Sequence, residues 1–203
     1  MCVGKKKKGT VEVAAQWLAE SNVKTKAFDY NWKEMVACPI HVPQNEWVAA
    51  NVGPFFNHTS VLYATLSDFC NVSRCPTMSA GSKTEFVWFD ERGKKVKGLA
   101  APNYIEYAMS YIQTQIEDEN IFPTRLDMNF SRDFLTVCKK IFKLLFHVLS
   151  HMYHSHYSQV LELGLNGHLN TMFQHFCYFG LVHRLLDHKE CALMEPLLKE
   201  FGL

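Results

Sequence analysis

Residues 146–157 read F-H-V-L-S-H-M-Y-H-S-H-Y, four histidines in twelve residues set among apolar neighbours. Far upstream stand Cys70 and Cys75, the second followed by Pro76. Neutral imidazole and thiolate are the ligand types zinc prefers, and a structural zinc takes four of them in a tetrahedron. A shared site forces a helix and a distant loop together, which limits the fold more than any other stretch does. Spacing then sorts the histidines. At 100° per residue, His151 and His154 stand about 60° apart on one helical face, whereas His151 and His156 stand about 140° apart. A straight helix favours His154 as the second imidazole, and His156 serves only if the helix ends or loosens before it.

With 203 residues the chain fits one domain and can bury a sizeable core. Its formal net charge of +1 gives no global push toward nucleic acid, and no apolar run is long enough to span a membrane. Seven cysteines, with no apolar run after Lys5 to Lys8, fit a reducing compartment. A cytoplasmic protein is expected, with the nucleus as a second location, and its thiols are free for metal. Residues 1–26 carry the lysine run and a short apolar patch without strong caps, and read as a mostly flexible basic tail. Lys5 to Lys8 also suit a nuclear address, or with Cys2 a palmitoylated anchor, but a solvated tail is preferred. Residues 27–203 form the single domain.

Periodicity supplies the elements. Residues 27–43 hold Phe28, Tyr30, Trp32, Met35 and Val36 and then Pro39 and Pro43, the pattern of an extended segment laid over a core. Asn45 is a good N-cap, so a helix should begin there and break or bend near Gly53-Pro54. Phe55, Val61, Leu62, Leu66 and Phe69 keep helical spacing up to Cys70, which closes the helix and leaves Cys75-Pro76 in a loop. Residues 85–89 and 94–97 alternate around Asp90-Glu91-Arg92-Gly93, a small β-hairpin. Pro102 suits the first turn of a helix bearing Ile105, Ala108, Met109, Ile112 and Ile116. Ser131 caps the next, with Phe134, Cys138, Ile141, Leu145, Val148 and Met152 as its stripe. Two further helices are expected over residues 166–179 and 187–201. The fold class is therefore mainly α, with helices long enough to form a bundle.

In order along the chain come Asn45-Glu46-Trp47, Phe55-Phe56, Phe69-Cys70-x4-Cys75-Pro76-Thr77-Met78, Ala101-Pro102-Asn103-Tyr104, His151-Met152-Tyr153-His154-Ser155-His156 and His168-Leu169-Asn170-Thr171. This set resembles the Mob (Mps-one-binder) family over about residues 28–200. Trp88-Phe89-Asp90-Glu91-Arg92-Gly93-Lys94-Lys95-Val96-Lys97 further resembles the second Mob class, whose partners are NDR kinases. The resemblance implies a four-helix-bundle core with additional helices, a small β-hairpin and a structural Zn2+ held by Cys70, Cys75, His151 and His156. It replaces the geometric preference for His154 and requires the long helix to end inside the histidine stretch.

The resemblance also implies a partner. Mob proteins bind the N-terminal regulatory helices of NDR/LATS Ser/Thr kinases, and the matching positions here are Trp32, Met35, Glu46, Trp47, His58, Val61, Leu62, Leu163 and His175. Apolar groups flanked by an acid suit a basic amphipathic helix lying in a groove. A basic triplet that binds phosphopeptides in the first Mob class is matched by Lys143, Leu144 and His147, so weak or no phosphopeptide binding is expected. Pro54 stands where that class has an acid, which favours an NDR-type over a LATS-type partner. The expected function is a non-enzymatic adaptor that binds and modulates such a kinase. The rivals are a scaffold linking other proteins and a zinc hydrolase. For the hydrolase, no H-E-x-x-H pattern supplies a base, and the one acid close to the histidines in sequence is Glu162.

Overall fold

Trp17 stands in a short 3-10 turn, Gln16–Leu18, followed by α1 (Glu20–Lys24) and α2 (Trp32–Met35). Four long helices follow: α3 (Gln44–Ala64), α4 (Ala101–Glu117), α5 (Phe134–Ser155) and, after the short α6 (Tyr157–Glu162), α7 (Asn166–Val182). Between α3 and α4 lie β1 (Ser79–Ala80), β2 (Thr84–Glu85), β3 (Trp88–Phe89) and β4 (Lys95–Val96), and the chain closes with α8 (His188–Cys191) and α9 (Glu195–Glu200). This computed structural model describes residues 15–203 apart from 83, 91, 97 and 126. The lysine run and Cys2 lie outside the described residues. The architecture is the mainly helical one expected, and no helix described is long and apolar enough to cross a membrane.

Helix α5 is the axis of the core because its apolar stripe is widest. Ile141, Phe142, Leu145, Phe146, Val148, Leu149, Met152 and Tyr153 are all buried. Phe142 stacks on Phe176 of α7 at 4.8 Å and meets Phe55 of α3 edge-on at 5.6 Å, so one aromatic cluster joins three helices. Each such ring taken out of water contributes roughly 1.5–3 kcal/mol. Helix α4 begins as Pro102 dictates and buries Tyr104, Ile105, Ala108 and Ile112.

Several local expectations change. Helix α3 starts at Gln44 after Pro43, not with an Asn45 cap, and runs unbroken through Gly53-Pro54. Pro54 is on the exposed side, while Val52, Phe55, Phe56 and Thr59 beside it are buried, so packing of the apolar face holds the helix across the missing donor. Ser131 does not cap α5 with its side chain. Its backbone carbonyl accepts from Phe134 N–H at 3.2 Å, and its Oγ is buried without a partner. The helix expected over 187–201 is broken into α8, a 3-10 turn (Ala192–Met194) and α9, with Pro196 in the first turn of α9, while Asp187 caps α8 by accepting from Glu190 N–H at 2.7 Å.

The sheet structure is two short antiparallel pairs, β1 with β2 and β3 with β4. In the expected hairpin Trp88 faces Val96 and Phe89 faces Lys95. Trp88 turns inward, edge-on to Tyr104 at 5.5 Å, and leaves Phe89 outside. The Asp90 carboxylate closes the turn by accepting from Arg92 N–H at 2.9 Å and Lys94 N–H at 2.8 Å.

The boundary expected at residue 26 is displaced. Residues 15–26 are folded onto the bundle, with Trp17 and Val23 buried. Trp17 lies edge-on to Tyr153 at 6.0 Å and to His154 at 5.2 Å, and burial of these two apolar side chains fixes a segment too short to show a helical period.

Candidate metal centre and docking groove

Two elements meet at the cysteine pair. Helix α3 unwinds after Ala64 through a series of turns, and Cys70 N–H bonds the Leu66 carbonyl at 3.1 Å. Cys75 N–H then bonds the Asn71 carbonyl at 2.8 Å, a second turn that brings both thiols to one side of the loop. On the other element, α5 ends at Ser155. His156 takes φ −131° and ψ 14° before α6 begins at Tyr157, and this break swings its ring back toward His151. The imidazoles are 5.1 Å apart.

All four ligand atoms of Cys70, Cys75, His151 and His156 lie within 4.8 Å of one another, and all four residues are buried. Cys70 Sγ stands 3.5 Å from His151 Nε2, and Cys75 Sγ stands 3.5 Å from His156 Nε2. A tetrahedron with metal–sulfur bonds of about 2.3 Å and metal–nitrogen bonds of about 2.0–2.1 Å has a sulfur–nitrogen edge of about 3.5 Å. The donor set therefore fits a tetrahedral divalent metal in both chemistry and spacing. His151 Nδ1–H donates to the Ser79 carbonyl at 2.7 Å, which fixes the tautomer and leaves the Nε2 lone pair facing the thiols. Burial pushes the Cys70 thiol up to about 12 and the His156 imidazole down to about 4; it also raises Cys75 and lowers His151. The imidazoles are thus held neutral, as ligands must be, and a cation is needed to draw the protons off the thiols. His154 is not in the cluster. Its ring packs against Trp17, and its Nδ1 would sit 3.3 Å from a Cβ on Gly81.

The kinase-contact positions named from the sequence fall into two groups. Trp32, Met35, His58, Val61, Leu62 and His175 line one apolar groove of about 530 Å³ between α2, α3 and α7. Trp32 is buried and stacks on His175 at 5.2 Å, while Val61 is 66% exposed. Burial and the neighbouring His58 push His175 down to about 4, which keeps the stacked ring uncharged. Glu46, Trp47 and Leu163 lie outside this lining. Trp47 is half-buried; its Nε1–H donates to the Val36 carbonyl at 3.2 Å and ties the end of α2 to α3. Glu46 is exposed on the first turn of α3, and Leu163 is exposed at the end of α6. The groove also takes Phe28 and Tyr30, which the sequence places on an extended segment over the core and not in a contact surface. Their alternation with polar residues before Trp32 was the signal available.

The positions matching a phosphate-binding triplet are otherwise engaged. Lys143 pairs with Glu190 at 3.1 Å, and Leu144 is buried. His147 stacks under Phe86 at 3.9 Å and its Nδ1 is hydrogen-bonded with the Tyr104 hydroxyl at 2.7 Å. Burial, with some help from Lys143, pushes the imidazole down to about 3.

Comparison with known proteins matches residues 24–194 to the Mob1/phocein family. MOB kinase activator 2 of Mus musculus is 42% identical over 191 residues, 94% of this chain and 80% of that protein. MOB kinase activator-like 1A of Arabidopsis thaliana is 44% identical over 170 residues, 83% of this chain and 79% of that protein. The maintenance of ploidy protein mob2 of Schizosaccharomyces pombe is 37% identical over 189 residues, 93% of this chain and 77% of that protein. The family pattern takes in the cysteine loop, the histidine helix and the groove alike, and the chain belongs to the Mob1/phocein family.

Proposed function

We propose that this chain is a non-catalytic adaptor that docks the N-terminal regulatory helices of an NDR-type Ser/Thr kinase and modulates its activity. The observation that carries the reading is the groove, where Phe28, Tyr30, Met35 and Val61 remain exposed in the isolated chain. Relatives named as kinase activators support the same reading. From Glu46 to His58 the α3 axis rises about 18 Å, so a partner helix of about twelve residues spans both the apolar lining and the acid at the helix start. Glu34 and Glu46 are exposed and suit a basic helix, whose lysines and arginines steer encounter. Cys70, Cys75, His151 and His156 hold Zn2+ in this reading. Four protein donors fill a tetrahedron and leave no position for a reacting water, so the metal fastens the loop to the helix. The engagement of Lys143, Leu144 and His147 supports weak phosphopeptide binding at that face.

The test is a titration of an NDR-type regulatory peptide against wild type and Val61→Asp by calorimetry. The substitution puts a charge where apolar contact is needed, and affinity should fall at least about tenfold while the melting temperature holds. Equal affinity for the two proteins overturns the groove as the docking site.

A further inference from the structure

One wall of the groove belongs to no helix. Ala27, Phe28 and Tyr30 lie on the extended strap that joins α1 to α2. Apolar anchors hold the strap at its ends, Trp17 and Val23 on one side and Trp32 on the other. Between them none of residues 24–31 is buried, and Phe28 and Tyr30 are 57% and 46% exposed. Hydrophobic burial is therefore incomplete where the strap lines the groove, limited to Tyr30 meeting Trp32 edge-on at 5.4 Å and Phe28 stacking on Tyr30 at 6.0 Å.

Hydrogen bonds to one face of α7 hold the strap there. Gly167, Asn170 and Thr171 are three and four residues apart and share that face. Ala27 N–H donates both to the Gly167 carbonyl at 3.1 Å and to Thr171 Oγ1 at 3.0 Å, and Phe28 N–H reaches the same hydroxyl oxygen at 3.4 Å. Asn170 Nδ2 donates to the carbonyls of Asn22 at 2.7 Å and Thr25 at 2.9 Å, while its Oδ1 accepts from the buried Tyr153 hydroxyl at 2.8 Å. A Cβ on Gly167 would stand 3.2 Å from Ala27 N, so a glycine is what lets the strap come this close.

We infer that Thr171 is a positioning residue for docking: its hydroxyl latches the strap to α7 and so sets Phe28 and Tyr30 as the wall against which the partner helix lies. The inference rests on the groove being the docking site. Asn170 and Gly167 complete the latch, Asn170 by fixing the strap one turn earlier and Gly167 by giving it room. A partner that docks on the latched strap finds its aromatic wall already ordered, which lowers the entropy lost on binding.

The experiment compares wild type, Thr171→Val, Thr171→Ser and Gly167→Ala, each zinc-loaded. Amide hydrogen exchange is read over residues 22–31, and an NDR-type regulatory peptide is titrated against each. Thr171→Val keeps the shape and removes the hydroxyl. Exchange at Ala27 and Phe28 should accelerate while α5 and α7 stay protected, and peptide affinity should fall about tenfold, the scale of losing one such hydrogen bond. Thr171→Ser should restore both readouts. Gly167→Ala, which keeps the hydroxyl and crowds the strap, should repeat the Thr171→Val result and stands in for it if that variant fails to fold. Wild-type exchange and affinity in Thr171→Val, or failure of Thr171→Ser to restore them, overturns the latch. If wild type does not bind the peptide, the docking reading falls, and unchanged exchange in the strap still overturns the latch on its own.

Discussion

His154 and His156 are two positions apart and should behave oppositely when replaced by alanine. His156→Ala removes a donor from the cluster, so metal content measured by atomic emission should fall together with the melting temperature. His154→Ala should keep the metal and lose only packing against Trp17. Retention of metal by His156→Ala would falsify the four-residue set. Cys75→Ser belongs to the same test and should lose metal and stability together. A helical wheel chooses His154, because it assumes a straight helix through Ser155-His156-Tyr157, where no glycine or proline breaks the run. The break at His156 is enforced by tertiary packing, with Tyr157 and Val160 of α6 buried beyond it, and the family resemblance alone pointed to it. The place of Phe28 and Tyr30 was hidden for a related reason: the strap that carries them is bonded through Ala27 and Phe28 to Thr171, more than 140 positions away.

Among the elements, long helices were the most legible and short ones the least. The stripes of α4 and α5 predicted their buried faces, since fifteen or more residues give a period time to repeat. Helix α1 and the 3-10 turn before it are under two turns each and show none, so the sequence pattern around Trp17 and Val23 is that of a tail. Two glycines in long helices show how local space decides the cost of one substitution. A Cβ on Gly53 in α3 meets nothing within 4 Å beyond its chain neighbours, but the Pro54 ring crowds the Cβ of a helical residue before it and offsets the gain of about 0.5–1 kcal/mol in helix propensity, so Gly53→Ala should be close to neutral. On Gly180 in α7 a Cβ would stand 2.7 Å from Leu186 Cδ1 and 3.2 Å from Phe142 Cδ1. Gly180→Ala should therefore destabilise by about 1–3 kcal/mol, the usual scale of overpacking. Chemical denaturation of both variants checks the pair, and an equal loss of stability in the two contradicts the account.

For the molecule as a whole, acid is the condition to which the fold should be most sensitive. Burial holds His147 at about 3 and His175 at about 4, below the ordinary imidazole value. The unfolded chain then binds more protons than the folded one between roughly pH 6.5 and those values. Stability is fully present above pH 6.5 and drains as pH falls toward 3, by up to about 1.4 kcal/mol per pH unit for each such group. His147→Gln should show a shallower decline in urea unfolding between pH 6.5 and 4; an unchanged slope contradicts a neutral buried imidazole at that position. The metal cluster also has a history within each molecule's synthesis. Each thiol meets an imidazole 81 residues further along the chain. At about 5–20 residues per second, the cysteine half of the site leaves the ribosome roughly 4–16 s before the histidine half. For that interval the nascent chain displays two bare thiols five positions apart, and its yield should depend on metal supply and reducing power during translation more than on either after release.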